Sequence, residues 1–223
     1  KLSETERISL ELLKFKLQET VDYYEFDSYL NPLLSDSGFH SSWNYMVRPL
    51  SNYKQATSYL QRLEALPEVV DQYLPLLREG LKKGVSQPRV IFNGYENTYD
   101  SQIVNDYKTS FYYEPFLNLS SSINETQKDS LLAAAKIAIE QKVIPSFKRV
   151  KTFFETEYFP QTRTTLGVSE TPNGKAYYQN RINYYTTLTL TADEIHQKGL
   201  SEVARIKAEM EKIIEEVNFQ GSF

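Results

Sequence analysis

The sequence predicts an all-α fold, an elongated multi-helix domain with long kinked helices, and three observations lead there. Apolar residues recur at spacings of three and four over most of the chain. Segment starts carry helix capping pairs, at Ser3/Glu6, Asn124/Gln127 and Thr191/Glu194. Prolines fall at segment starts or as isolated kinks, and extended alternation is confined to residues 162–174, where at most a short β-hairpin fits. The clearest element is the last. Gly199, Val203, Ile206, Met210, Ile213 and Val217 form one stripe, and Lys198, Glu202, Arg205, Glu209, Lys212 and Glu216 alternate in sign on another face. The stripe predicts burial of Val203, Ile206, Met210 and Ile213.

In chain order, the first helix follows the Ser3/Glu6 cap, with Leu10, Leu13, Leu17, Val21 and Tyr24 on one stripe and Ile8, Leu12 and Phe15 on a second. That much apolar circumference predicts packing on two sides, and Asn31-Pro32 sets the limit of the helix. Residues 33–42 read as a loop, with His40 and Trp43 as the pair that anchors its far end to the core. A helix over residues 52–66 turns Ala56, Leu60 and Leu63 inward. Pro67 restarts it, with Val70, Leu74, Leu77 and Leu81 inside, a kink at Pro75 and a left-handed cap at Gly84. Pro88 opens a further helix despite the turn-forming Asn93-Gly94, and residues 107–122 form an irregular connection. A kinked helix over residues 124–159 then buries Leu132, Ala135, Ile139, Val143, Phe147, Val150 and Phe154, with its kink at Pro145. A brief helix carrying Tyr177, Tyr178, Ile182 and Tyr185 precedes the last one.

Composition narrows function mainly by exclusion. The 223 residues carry a net charge of −4, which gives no footprint for nucleic acid. There is no cysteine, hence neither disulfide nor thiolate metal site. The most apolar window, residues 131–139, is short and contains Lys136, so no membrane span is predicted. The chain opens on a helix cap rather than on Met or a signal sequence, which reads as a processed or trimmed fragment. The 17 Tyr and 12 Phe are assigned to core gaps and helix seams in preference to a ring-stacking surface for peptides or sugars.

A helix-borne zinc site needs two histidines one turn apart with a glutamate between them. The two histidines here are His40 and His196, and Leu200 stands one turn after His196. Gly-rich phosphate loops and a G-x-S-x-G elbow are absent as well. No catalytic residue and no metal ligand is assigned.

Several blocks in order resemble one bacterial family. They are Leu66-Pro67 to Tyr73; Leu77-Arg78-Glu79-Gly80-Leu81 with Gly84 and Pro88-Arg89; Ile144-Pro145 through Glu157-Tyr158 to Pro160, Arg163 and Gly167; Asn173-Gly174 with Tyr177-Tyr178; and Tyr185-Thr186-Thr187 through Glu194-Ile195-His196 to Glu209-Met210. The family is domain of unknown function 885, which is similar to gluzincin zinc peptidases and whose H-E-x-x-P-G-H-H metal motif lies downstream of the last block. The resemblance implies that residues 1–223 are a single helical domain, the amino-terminal non-catalytic portion of a longer protein. It implies a substrate-channel wall and scaffold, with no cofactor in this chain and zinc in the downstream half. The implied partners are the carboxy-terminal half of the same protein and a peptide substrate, and the implied location is the bacterial cell envelope or periplasm. Tyr177, Tyr178, Thr186, Thr187 and His196 are the candidates for the channel-facing side. The alternative is a self-contained helical module that binds a peptide or protein without catalysis.

Overall fold

The computed structural model describes residues 2–221, and those residues are helical with no β-strand. The chain divides into two compact units, Lys1–Gly167 and Val168–Phe223.

The first unit begins with α1 (Glu4–Glu25), whose predicted capping box is complete: the Ser3 hydroxyl accepts from the Glu6 N–H, and the Glu6 carboxylate accepts from the Ser3 N–H. Asp27, in the left-handed region at φ 53°, turns the chain out of the helix, and a 3₁₀ turn at Ser28–Leu30 follows. The expected packing of α1 on two sides is not found. No residue of α1 is buried, and Ile8, Leu12, Leu13, Leu17 and Val21 are all exposed. Periodicity identifies an apolar side but carries no information about what lies against it.

The core forms around α2 (Tyr53–Glu64), α3 (Leu66–Lys83) and a long segmented helix. The segmented helix runs through α4 (Glu125–Ala138), a π turn at Ile139–Val143, α5 (Ile144–Phe153), a second π turn at Phe154–Tyr158 and a last turn at Phe159–Gln161. α4 packs on α2, and α5 packs on α3. Each π turn ends two residues before a proline, Pro145 or Pro160. Proline has no N–H to give to the carbonyl four residues back, and the wider turn absorbs that missing bond. The second π turn also shifts the helical register, so that the adjacent Phe153 and Phe154 are both buried. The inward faces predicted for α2 and α3 are buried at Ala56, Leu60, Leu63, Val70, Leu74 and Leu77, and Leu81 is half-buried.

Many of the aromatic residues fill the core, as assigned from the sequence, while others such as Tyr24, Tyr45 and Tyr185 are exposed. Tyr59, Tyr95, Tyr99, Tyr112, Tyr113 and Tyr158 are buried, and the hydroxyls that reach inward find acceptors. Tyr59 donates to the Tyr112 carbonyl at 2.9 Å, Tyr112 to Asn44 Oδ1 at 2.8 Å, Tyr95 to the Ser37 carbonyl at 3.1 Å and Tyr158 to Asn31 Oδ1 at 3.2 Å. Three of these bonds pin residues 31–44, which otherwise have little regular structure, and His40 and Trp43 are buried at the end of that loop.

At Gly80 a Cβ would lie 2.6 Å from the Leu30 carbonyl oxygen and 2.9 Å from that of Val85. Both obstacles are backbone, so Gly80→Ala is expected to cost about 1–3 kcal/mol by overpacking, despite the better helix propensity of alanine. Chemical denaturation checks this, and a stabilised variant would show that Leu30 yields.

Two predicted elements differ. Pro88 is followed by a 3₁₀ turn at Arg89–Phe92, which ends where Asn93 is extended at ψ 118°, and Gly94 then takes φ 80°. Among the described residues, 162–174 form no hairpin. Arg163 makes an isolated parallel bridge with Pro88, and Val168–Glu170 is a 3₁₀ turn. The Arg163 guanidinium consumes the local carbonyls instead, donating to Ser86 O at 3.0 Å, Gly167 O at 3.0 Å and Thr165 O.

The second unit holds α6 (Gly174–Thr186) and α7 (Ala192–Glu216). α7 has the predicted capping box at Thr191 and Glu194 and the predicted ion pairs, Arg205 with Glu202 at 2.8 Å and with Glu209 at 2.9 Å. Its stripe is not buried: Val203 is 66% exposed, Ile206 46%, Met210 40% and Ile213 56%. The burial expected from the sequence is therefore corrected. In this chain Ile206→Asp is expected to change the unfolding free energy by no more than about 0.5 kcal/mol, as for an ordinary surface substitution. A thermal melt of the variant tests it, and a loss of several kcal/mol would mean that the stripe is covered.

Candidate functional site

The residues assigned to a channel-facing side lie in the second unit, on α6, on the turn after it and on α7. α6 begins where Asn173 adopts φ 56° and Gly174 comes against the preceding 3₁₀ turn. A Cβ at Gly174 would sit 1.9 Å from the Val168 carbonyl oxygen, so this start requires glycine. Tyr177 is half-buried and Tyr178 exposed. Four residues after Tyr177 the Arg181 guanidinium lies 5.5 Å from its ring centroid and 5.2 Å from that of Tyr184, a cation–π ladder on one face of the helix. Arg181 also donates to Asn180 Oδ1 at 3.0 Å. Arg181 and Tyr184 were missed from the sequence, although the 177-181-184 spacing contained the signal.

Thr186 and Thr187 shape the exit from α6. The Thr186 hydroxyl donates to the Ile182 carbonyl at 2.7 Å and accepts from the Leu188 N–H at 3.1 Å, while Thr187 takes φ 59°. A β-branched residue in the left-handed region stores backbone strain. Gln179 Nε2 holds the turn by donating to the Leu190 carbonyl at 2.7 Å. His196 stands exposed on α7. The structure thus places Tyr177 in a cation–π ladder, Thr186 and Thr187 in a turn, and Tyr178 and His196 toward solvent.

In the first unit a groove of about 380 Å³ lies between α3 and α5, lined by Leu74, Pro75 and Phe153. Arg78 spans it, donating to both Glu157 oxygens at 2.6 and 2.8 Å with its guanidinium 5.1 Å from the Phe153 centroid. Arg149 pairs with Asp71 and reaches the Pro67 carbonyl at 3.4 Å, and Lys148 and Thr152 complete the rim. The hydrogen bond from Arg78 holds the Glu157 carboxyl below its ordinary 4.5 and raises Arg78 in turn. Both carboxylates of the groove are bound by guanidinium groups, which makes them poor general bases. The groove can hold a small polar ligand by charge and hydrogen bonding. Its residues come from segments some 80 positions apart, and no local pattern in the sequence announces it.

His40 is fully buried among Phe39, Tyr95, Tyr99, Phe147 and Phe154. Thr98 gives its hydroxyl proton to the Tyr95 carbonyl at 2.7 Å, so at its 2.8 Å contact with His40 Nε2 it must accept, and Nε2 carries the hydrogen. Nδ1 has no hydrogen-bond partner, and burial lowers the imidazole from 6.5 to about 4. The anchoring role assigned to His40 and Trp43 agrees with this enclosure. Among the described residues no three His, Cys, Asp or Glu side chains converge as metal ligands. With one histidine sealed in rings and the other exposed on α7, the donor set does not fit zinc, and no step through a metal is derived for this chain.

The sequence model of the family described as "Bacterial protein of unknown function (DUF885)" matches residues 1–223. Among solved structures, a candidate lipoprotein from Colwellia psychrerythraea is similar in fold, with a TM-score of 0.69 and 22% identity over 78% of this chain. The chain spans 30% of the length of that protein. No curated protein matches. Among the described residues no helix is long and apolar enough to cross a membrane.

Proposed function

The chain belongs to the DUF885 family along its whole length, and from that premise we propose that it is the amino-terminal helical part of a zinc-dependent peptidase, acting as scaffold and as one wall of the substrate channel. One observation carries this reading: the chain corresponds to only 30% of a longer protein of the same fold. The helical layers described above then serve as a platform for a reaction centre located elsewhere in the polypeptide. Tyr177 and Tyr178 on α6, Thr186 and Thr187 at its exit, and His196 on α7 are the proposed channel-facing side. Aromatic faces of this kind suit an extended peptide backbone. Zinc is proposed for the downstream half, since the donors here do not fit it. A location in the cell envelope is proposed from the lipoprotein description of the structural relative.

A second reading draws on the exposed stripe of α7, which suits a non-catalytic module that binds a protein. Zinc content and peptide cleavage, measured on the parent gene product beside the 223-residue chain, separate the two. The peptidase reading expects about one zinc and cleavage in the longer protein alone. Absence of both from the longer protein would overturn it.

A further inference from the structure

We propose that the apolar stripe of α7 is an interior face, covered by a helical layer that the same polypeptide supplies outside these 223 residues. The proposal rests on the scaffold part of the preceding reading and is independent of its peptidase chemistry.

The stripe is continuous over the whole helix. Leu200, Val203, Ile206, Met210, Ile213 and Val217 are all at least 40% exposed, and none of the residues of α7 is buried. The rest of the second unit offers α7 no core of its own, since its buried residues among those described are Gly174 and Ile182. A unit of this size needs a packed core or a surface to fold against. Polypeptide to supply that surface exists in the structural relative, 70% of which lies outside the matched part.

The width of the stripe and its charges select the occupant. In heptad terms Val203, Met210 and Val217 are a positions and Gly199, Ile206 and Ile213 are d positions, but Leu200 and Ile214 add apolar surface at e and Ile195 at g. That is broader than the seam of a two-stranded coiled coil, and it matches the wide face a helix presents to a layer of other helices. A second copy fits poorly. Glu202, Glu209 and Glu216 all flank the stripe at g, so they oppose one another in an antiparallel pair. In a parallel pair only Glu202 meets a cation, Lys207. Within the helix these carboxylates already have partners, with Arg205 at 2.8 and 2.9 Å from Glu202 and Glu209 and Lys212 at 3.9 Å from Glu216. The charges are satisfied locally, and what remains to be matched is apolar area.

The test compares amide hydrogen exchange of residues 200–216 in this chain and in the parent polypeptide, with Ile206→Asp on the stripe and Ala208→Asp on the opposite face. The expected result is exchange at least about tenfold slower in the parent, lost with Ile206→Asp and kept with Ala208→Asp. Equal exchange in the two proteins overturns the proposal. So does a reading frame that ends at Phe223. Sedimentation showing that the chain alone dimerises, with Ile206→Asp restoring the monomer, also overturns it by assigning the face to a second copy. Zinc content and cleavage, read on the same preparations, report the peptidase chemistry separately: protection without zinc sinks that chemistry alone, and zinc without protection sinks the docking face alone.

Discussion

Phe154→Ala is expected to destabilise the chain by about 3–5 kcal/mol, the range for removing a buried aromatic ring from a packed core. Phe154 is completely buried among rings from separate parts of the chain. It stacks on Tyr99 with centroids 6.1 Å apart, meets Tyr95 at 5.2 Å and Tyr158 at 5.5 Å, and lies 5.7 Å from His40. Its position inside the second π turn leaves little freedom to close the void, because the register there is already set by Pro160. The measurement is chemical denaturation of the variant against the parent chain, with a shift in midpoint at unchanged slope. A loss under about 1 kcal/mol would mean that the aromatic cluster collapses easily, contrary to the packing described. Phe154→Leu, which keeps most of the volume, should recover a large part of the loss.

The second large effect is pH dependence centred on His40. Its folded value of about 4 lies below the ordinary 6.5 because burial disfavours the imidazolium. Between those values the unfolded chain binds the proton and the folded chain does not. Stability contributed by the neutral imidazole is therefore full above about pH 6.5, falls as pH drops, and is exhausted near pH 4. At about 1.36 kcal/mol per unit the total is on the order of 3 kcal/mol. Urea denaturation at a series of pH values should show this slope, and His40→Gln should flatten it. An imidazole that titrates near 6.5 in the folded protein, followed by NMR, would remove the basis for the prediction. Glu6, Glu157 and Glu194, all held below their ordinary 4.5 by hydrogen bonds, lose their contributions at lower pH than His40 does.

Local chemistry made much of the architecture legible. The three capping boxes at Ser3, Asn124 and Thr191 form as read, because each needs only residues three apart. Pro75 lies inside an unbroken helix, and the interruption expected at Pro145 takes the form of a π turn, repeated before Pro160, which was not anticipated. The candidate site was legible in part. Tyr177 and Thr186 were singled out, but their partners Arg181, Ile182 and Leu188 appear only once the helix and its exit turn are built. The groove between α3 and α5 was not legible at all, since Arg78 and Glu157 meet only through the packing of two distant helices.

The sequence by itself determined the long helices and their caps, that much of the interior is aromatic, and to which family the chain belongs. These depend on covalent geometry, short-range hydrogen bonding and residue order. Only the tertiary structure decided which apolar stripes are covered. Ala56, Leu63, Val70 and Leu77 are buried while Leu13, Leu17, Val203 and Ile206 are exposed, although all sit on stripes of the same period. Periodicity is a property of one helix, whereas burial requires a second surface within van der Waals reach; within the first unit α2 and α3 have that surface and α1 does not, and the second unit by itself gives α7 none.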